Sequence, residues 1–403
     1  MSRAITAKYL AIAFALGLSL SAAAQQKDAR VYRDGNTWVE EITGSISAAH
    51  GLSLRSSIGS VQVRGAAQSN VTYTIKKKVS RTAEDMSRRD MAKFEVTVSR
   101  HGDAIVIEGD WPGDHAGRLN AEFYITVPKE TNIVKVETLG GSVNVDGISG
   151  KAYTQTAGGS ITLDEIGSSA TANTMGGSIA VGKIGGDAKL ETAGGSIAID
   201  SVEGVISAST SGGSISVGSG RHGITVESAG GSISVNKCGG QLRASTAGGS
   251  IDIGDVSESA HLETAGGGIR LGSAGGNVIA NTASGGIKLK KLTRGVRAQT
   301  TAGPIEAEFI AKRGEFTDSD LETTVGDIVV YLPSDLGATI KASVELANGH
   351  NIFTDFDGIK VTKEGGDWGP REIYAEGRIN GGGPVLKLHT TNGNIEIRKS
   401  KRY

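Results

Sequence analysis

Along residues 134–313 the apolar positions fall into columns that recur every 18 residues. The clearest column is aliphatic and follows a Gly-Gly-Ser corner, from Val143 and Ile161 through Ile179, Ile197, Ile215, Ile233, Ile251, Ile269 and Ile287 to Ile305. The serine before it occupies Ser142, Ser160, Ser178, Ser196, Ser214, Ser232 and Ser250, and the same place is then held by Gly268, Gly286 and Pro304. A fixed period with no slippage predicts identical coils stacked in register, a solenoid. Within one coil, Ile197, Ile199 and Val202 repeat nine residues later as Ile206, Ala208 and Ser211. The alternation within each half marks a half-buried strand. Two strands per coil predict two facing parallel sheets, and the handedness of parallel crossovers favours right-handed winding.

Two relatives of equal coil length do not fit. A hexapeptide left-handed helix needs aliphatics where this chain has Ser149, Gly167 and Glu203 or Glu137, Glu191 and Glu227. A calcium-binding nonapeptide roll needs glycine where the isoleucine column stands. The predicted fold class is therefore all-β, a parallel β-solenoid of ten 18-residue coils over 134–313. Residues 25–133 read as an irregular β region with a short helix near Thr82–Ala92, capped by Thr82 with Asp85. Residues 314–403 resume looser coils at Val325-Gly326-Asp327-Ile328 and Asn392-Gly393-Asn394-Ile395. Both flanks are expected to cap the open solenoid ends, which would otherwise expose unpaired edges.

Composition sharpens this picture. Sixty glycines in 403 residues with 4% aromatics exclude a core of large side chains. Residues 1–24 pair Arg3 and Lys8 with a short apolar run and Ala22-Ala23-Ala24, the pattern of a signal peptide. The mature chain is expected to be exported to the periplasm or cell surface, without a transmembrane segment. One cysteine, Cys238, leaves no internal disulfide and falls in a core column. A net charge of −1 gives no general attraction to nucleic acid, so an anionic partner needs a local patch.

Nothing that repeats is a catalytic group, and no metal or cofactor is expected. The threonine column, including Thr156, Thr174, Thr192, Thr210, Thr246 and Thr264, reads as backbone support at the corner; ice binding would want a second threonine rank. Asp110-Trp111-Pro112-Gly113-Asp114-His115 reads as a turn, with metal or sugar contact the alternative. The glutamates Glu137, Glu191, Glu227 and Glu263 share a column but never occupy adjacent coils, which weakens a polysaccharide-cleaving reading. The most function-bearing feature is basic: Lys288, Lys290, Lys291, Arg294 and Arg297 lie within one coil, with Arg270 beside Lys288 in the preceding one.

Ile58-Gly59-Ser60-Val61, the strand ending in Val127-Pro128, the Gly-Gly-Ser-Ile array and the closing Leu386–Ile395 stretch together resemble the bacterial putative-adhesin family of β-strand-repeat proteins. The resemblance implies a β-solenoid and an adhesin-like role, and it transfers no catalytic or ligand residue. The expected function is a non-enzymatic interaction module of the envelope or surface, contacting an anionic glycan or other envelope component through the basic residues. The alternatives are a carbohydrate-active β-helix enzyme and an architectural, self-associating envelope protein.

Overall fold

A computed structural model describes residues 26–80, 83–111, 119–312, 314–347, 349–365 and 372–400. The proposed signal segment, Thr82 and the Pro112–His115 part of the tryptophan turn lie outside these residues. Strand accounts for 64% of the chain and helix for 3%, so the expected all-β class holds. Two sheets of 18 strands each face one another. In the central coils Ile179, Ile197, Ile215, Ile233 and Ile251 pair as direct neighbours along the first sheet, one coil apart at each step. The sequence period and the spatial repeat are thus the same 18 residues.

One coil shows how the residues produce the shape. Strand Ile197–Val202 belongs to the first sheet and buries Ile197, Ile199 and Val202; strand Ile206–Thr210 belongs to the second and buries Ile206, Ala208 and Thr210. The inward pairs of the second sheet compensate in size, as Ala188 with Leu190, Ile206 with Ala208, Leu242 with Ala244, and Ala260 with Leu262. In these coils a small residue faces inward beside a larger one, so the thin core is filled without large side chains.

The corner between the second sheet and the first carries the tightest constraint. A Cβ placed on Gly159, Gly177, Gly195, Gly213 or Gly231 would overlap the carbonyl oxygen of the second glycine one coil earlier. A Cβ on the first glycine of the pair meets much less; at Gly194 the nearest atoms lie 3.5 Å away. The chain follows this distinction. The first place is filled by Ile58, Ser284, Ala302, Val325 and Asn392 in outer coils, while the second stays glycine at Gly59, Gly285, Gly303, Gly326 and Gly393.

The flanks join the array through the same two sheets, but out of sequence order. Strands Gly51–Ser56 and Ser60–Ala66 stack on Ile133–Thr138 and Val143–Asp146. Strands Ala104–Asp110 and Leu119–Pro128, later in the chain, stack outside them. Antiparallel strands Asn70–Ser80, Thr37–Ser47 and Gln26–Asp34 finish that end of the first sheet. At the other end, the last strands Val385–Asn392 and Ile395–Lys399 insert between Ser319–Val325 with Ile328–Leu332 and Ala338–Val344 with Ile352–Thr354. Among the described residues the second sheet ends on Glu95–His101 and Ile359–Glu364 and the first on Gln26–Asp34 and Ile352–Thr354, each paired on one side only, so both sheets are open ladders.

The helix spans Glu84–Lys93, and its N-cap position is held by Ala83, which offers no side-chain hydrogen bond. The expected start at Thr82 is therefore shifted. Glu84 and Asp85 in the first turn suit the helix dipole, and Met91 packs down beside the buried Phe94.

Two outcomes follow from the packing. Gly195→Ala should destabilise by about 3 kcal/mol, whereas Gly194→Ala should stay within about 0.5 kcal/mol, read as urea midpoints. Equal midpoints would refute the assigned corner. Likewise Ile215→Asp, at a buried position, should cost several kcal/mol, and Ser216→Asp, on the exposed face, less than about 1 kcal/mol.

Candidate functional site

The threonine column is buried and fully engaged. Thr210 Oγ1 donates to the Gly195 carbonyl at 2.8 Å and accepts from the Gly213 N–H at 3.2 Å. Thr156, Thr174, Thr192, Thr246 and Thr264 donate in the same way to the second glycine of the coil before. These hydroxyls hold the corner and are not displayed to solvent. The serines form a parallel ladder in which the Ser214 N–H donates to Ser196 Oγ at 3.2 Å. Cys238 is buried with its thiol against the His222, Gly240 and Gln241 carbonyls, and burial pushes its pKa up, away from reactivity.

The structure divides the basic residues. Arg270 and Lys288 are neighbours in register on the outer face of the first sheet. They are bracketed by acids: Arg270 lies 3.9 Å from Asp252, and Lys288 Nζ lies 2.6 Å from Glu306. Lys290, Lys291 and Arg294 are exposed at the end of that strand and on the turn that follows it. Arg297 sits on the other sheet, opposite Asp320 in register, and does not join them.

The outer face of the second sheet is the richer surface. In three coils a basic residue of one column meets an acid of the next: Lys135 lies 2.7 Å from Glu137, Lys189 3.1 Å from Glu191, and His261 2.7 Å from Glu263. Arg55, from the inserted N-terminal coil, adds a 2.8 Å pair to Glu137. Burial alone would raise the Glu137 carboxyl pKa, but hydrogen bonds from Lys135 and Arg55 outweigh it and hold the group below its ordinary value. His261 does the same for Glu263. A glycosidase acid needs the opposite shift.

Four hollows open on this face or its margin. One of about 510 Å³ is lined by Arg55, Glu108, Glu137 and Gln155. Another of about 580 Å³ is lined by Glu263, Asn281, Gln299 and Glu322. The remaining two, of about 560 and 550 Å³, are bordered by Arg297, Asp320 and Lys387 and by Thr225, Arg243 and His261. On the first sheet a smaller one of about 300 Å³ lies at Arg270, Lys288 and Glu306.

The interleaved C-terminal coil creates one juxtaposition with no local signature in the sequence. Ser343 Oγ and His389 Nδ1 lie 2.9 Å apart, and His389 Nε2 lies 3.4 Å from Glu345. The order of groups matches a hydrolytic triad. Ser343, however, lies in a strand paired on both sides, so its backbone N–H is taken up by the sheet and offers no oxyanion donor. The trio links strand Ala338–Val344 to strand Val385–Asn392 through polar side chains.

No family model and no curated protein matches the chain. Among solved structures it is similar to a putative cell adhesion protein from Clostridium sporogenes, at 10% identity over 93% of this chain and 100% of that one, with a TM-score of 0.18. It is also similar to a putative adhesin from Bacteroides fragilis, at 12% identity over 89% and 97%, with a TM-score of 0.19. Neither likeness assigns an activity.

The paired glutamates make stability depend on pH. Because the folded pKa of Glu137 is depressed, its contribution is present above the ordinary value of 4.5 and is lost as pH falls below it. Glu137→Gln should therefore flatten the loss of urea midpoint between about pH 5 and pH 3 relative to wild type. An unchanged slope would remove Glu137 from the acid response.

Proposed function

We propose that the chain is an exported, adhesin-like interaction module of the bacterial envelope or surface, acting without catalysis. The observation that carries this reading is the outer face of the second sheet. It repeats hydrogen-bonding and charged side chains at strand spacing along an extended surface, and Glu137 and Glu263 are held ionised there by their basic neighbours. Such a surface suits an extended partner that touches many coils weakly rather than a small substrate at one centre. The turn cations Lys290, Lys291 and Arg294, with Arg270 and Lys288 beside them, suit a second contact with an anionic glycan or lipid headgroup, weakening as salt rises.

The mature chain should sediment with isolated envelope fractions and release no reducing ends from their polysaccharides. Reducing-end release would favour the carbohydrate-active alternative, and filament formation without envelope binding would favour an architectural role. Lys290→Ser, Lys291→Ser and Arg294→Ser together should lower binding to anionic vesicles at low salt; unchanged binding would eliminate the turn contact.

A further inference from the structure

The hollow of about 580 Å³ on the second sheet has a hydrogen-bond pattern that its own residues leave incomplete. Glu263, Asn281, Gln299 and Glu322 come from four successive coils and are direct neighbours in register. At strand spacing the row is about 14 Å long and runs along the solenoid axis.

The two amides are turned towards opposite ends of the row. Asn281 hydrogen-bonds the Glu263 carboxylate, a bond in which only its Nδ2 can donate. Gln299 Nε2 donates to Glu322 at 3.2 Å. The middle of the row is therefore left to carbonyl oxygens, and Asn281 Oδ1 is buried without a hydrogen-bond partner. Beneath the row, Thr264, Thr282 and Thr300 spend their hydroxyl protons on the glycine carbonyls of the corner. The hydroxyls beneath the row are thus already committed, and the far wall is formed by Ala265, Ala283, Thr301 and Thr324.

We propose that this trough binds a neutral glycan segment lying along the solenoid axis, its hydroxyls donating to Asn281 Oδ1 and to the Glu263 and Glu322 carboxylates. The acceptor-rich row disfavours an anionic polymer. Arg243, 4.0 Å from Glu263, offsets part of its charge, which lessens the pull on a polycation. Because Asn281 Oδ1 is closed to solvent, a ligand hydroxyl reaches it once the side chain turns outward, a rotamer change that leaves the strand intact and exchanges the hydrogen bond to Glu263 for one to the ligand. This inference rests on the interaction-module reading and names the ligand class for one part of that surface.

The test titrates the mature chain with tetramers of β-1,4-linked glucose, N-acetylglucosamine and glucosamine by calorimetry. At least one of the two neutral tetramers should bind wild type. Asn281→Leu with Gln299→Leu should weaken it by about tenfold or more, the scale of one lost hydrogen bond to a buried group. Ala283→Trp, which fills the trough from its exposed wall, should do the same with an unchanged urea midpoint and guards against a misfolded double variant. The variant carrying serine at 290, 291 and 294 should bind the tetramer as wild type does. Absence of binding by both neutral tetramers, binding of glucosamine tetramer alone, or equal affinity in the trough variants would overturn the proposal. Envelope sedimentation retained alongside any of these results would sink the trough and leave the broader module standing.

Discussion

The structure depends on a carbonyl group: that of the second glycine at each corner. It points along the solenoid axis into the next coil, where only a glycine can lie over it and where a threonine three residues earlier supplies its hydrogen bond. The unit survives several changes in coil length. Thr138 serves Gly59, Thr323 serves Gly303, and Thr390 serves Gly326, although the last two residues are 64 positions apart. Where the corner is kept, the strands on either side fall into register, and the aliphatic ladders follow from that register.

In-register stacking also explains why so much was legible beforehand. When each residue's neighbour along the sheet is the residue 18 positions away, periodicity in the sequence is adjacency in space. The facing of Ile215 and Ser216, the burial of Cys238 and the supporting role of the threonines all follow from that arithmetic. Applied to the basic run it gives more than attraction: the step that sets Arg270 beside Lys288 also sets Asp252 and Glu306 on either side. Nearness within one coil is a poor guide, because half a coil carries Arg297 to the opposite sheet.

The ends were less legible because the period stops describing them. Arg55 meets Glu137 from 82 residues away, and Ser343 meets His389 across 46, each through a coil inserted out of order. No local pattern records such an insertion; only the Gly-Ser-Val and Gly-Asn-Ile corners at Gly59 and Gly393 hint that these segments belong to the same stack. The amide trough was hidden for another reason. Asn281 and Gln299 are ordinary strand-face residues, and what sets them apart is the direction in which each NH2 is drawn by a glutamate one coil beyond.

The insertion of the last coil has a mechanical meaning. A plain stack of coils has a free outermost turn, and tension on its terminus can peel that turn away, one ladder at a time. Here strand Ile395–Lys399 is bonded to Ile328–Leu332 on one side and to Ile352–Thr354 on the other. A pull transmitted through Lys399 therefore loads two parallel ladders together and along the strand direction, where their hydrogen bonds must shear as a group. Strand Ile395–Lys399 is held as a wedge rather than as a flap.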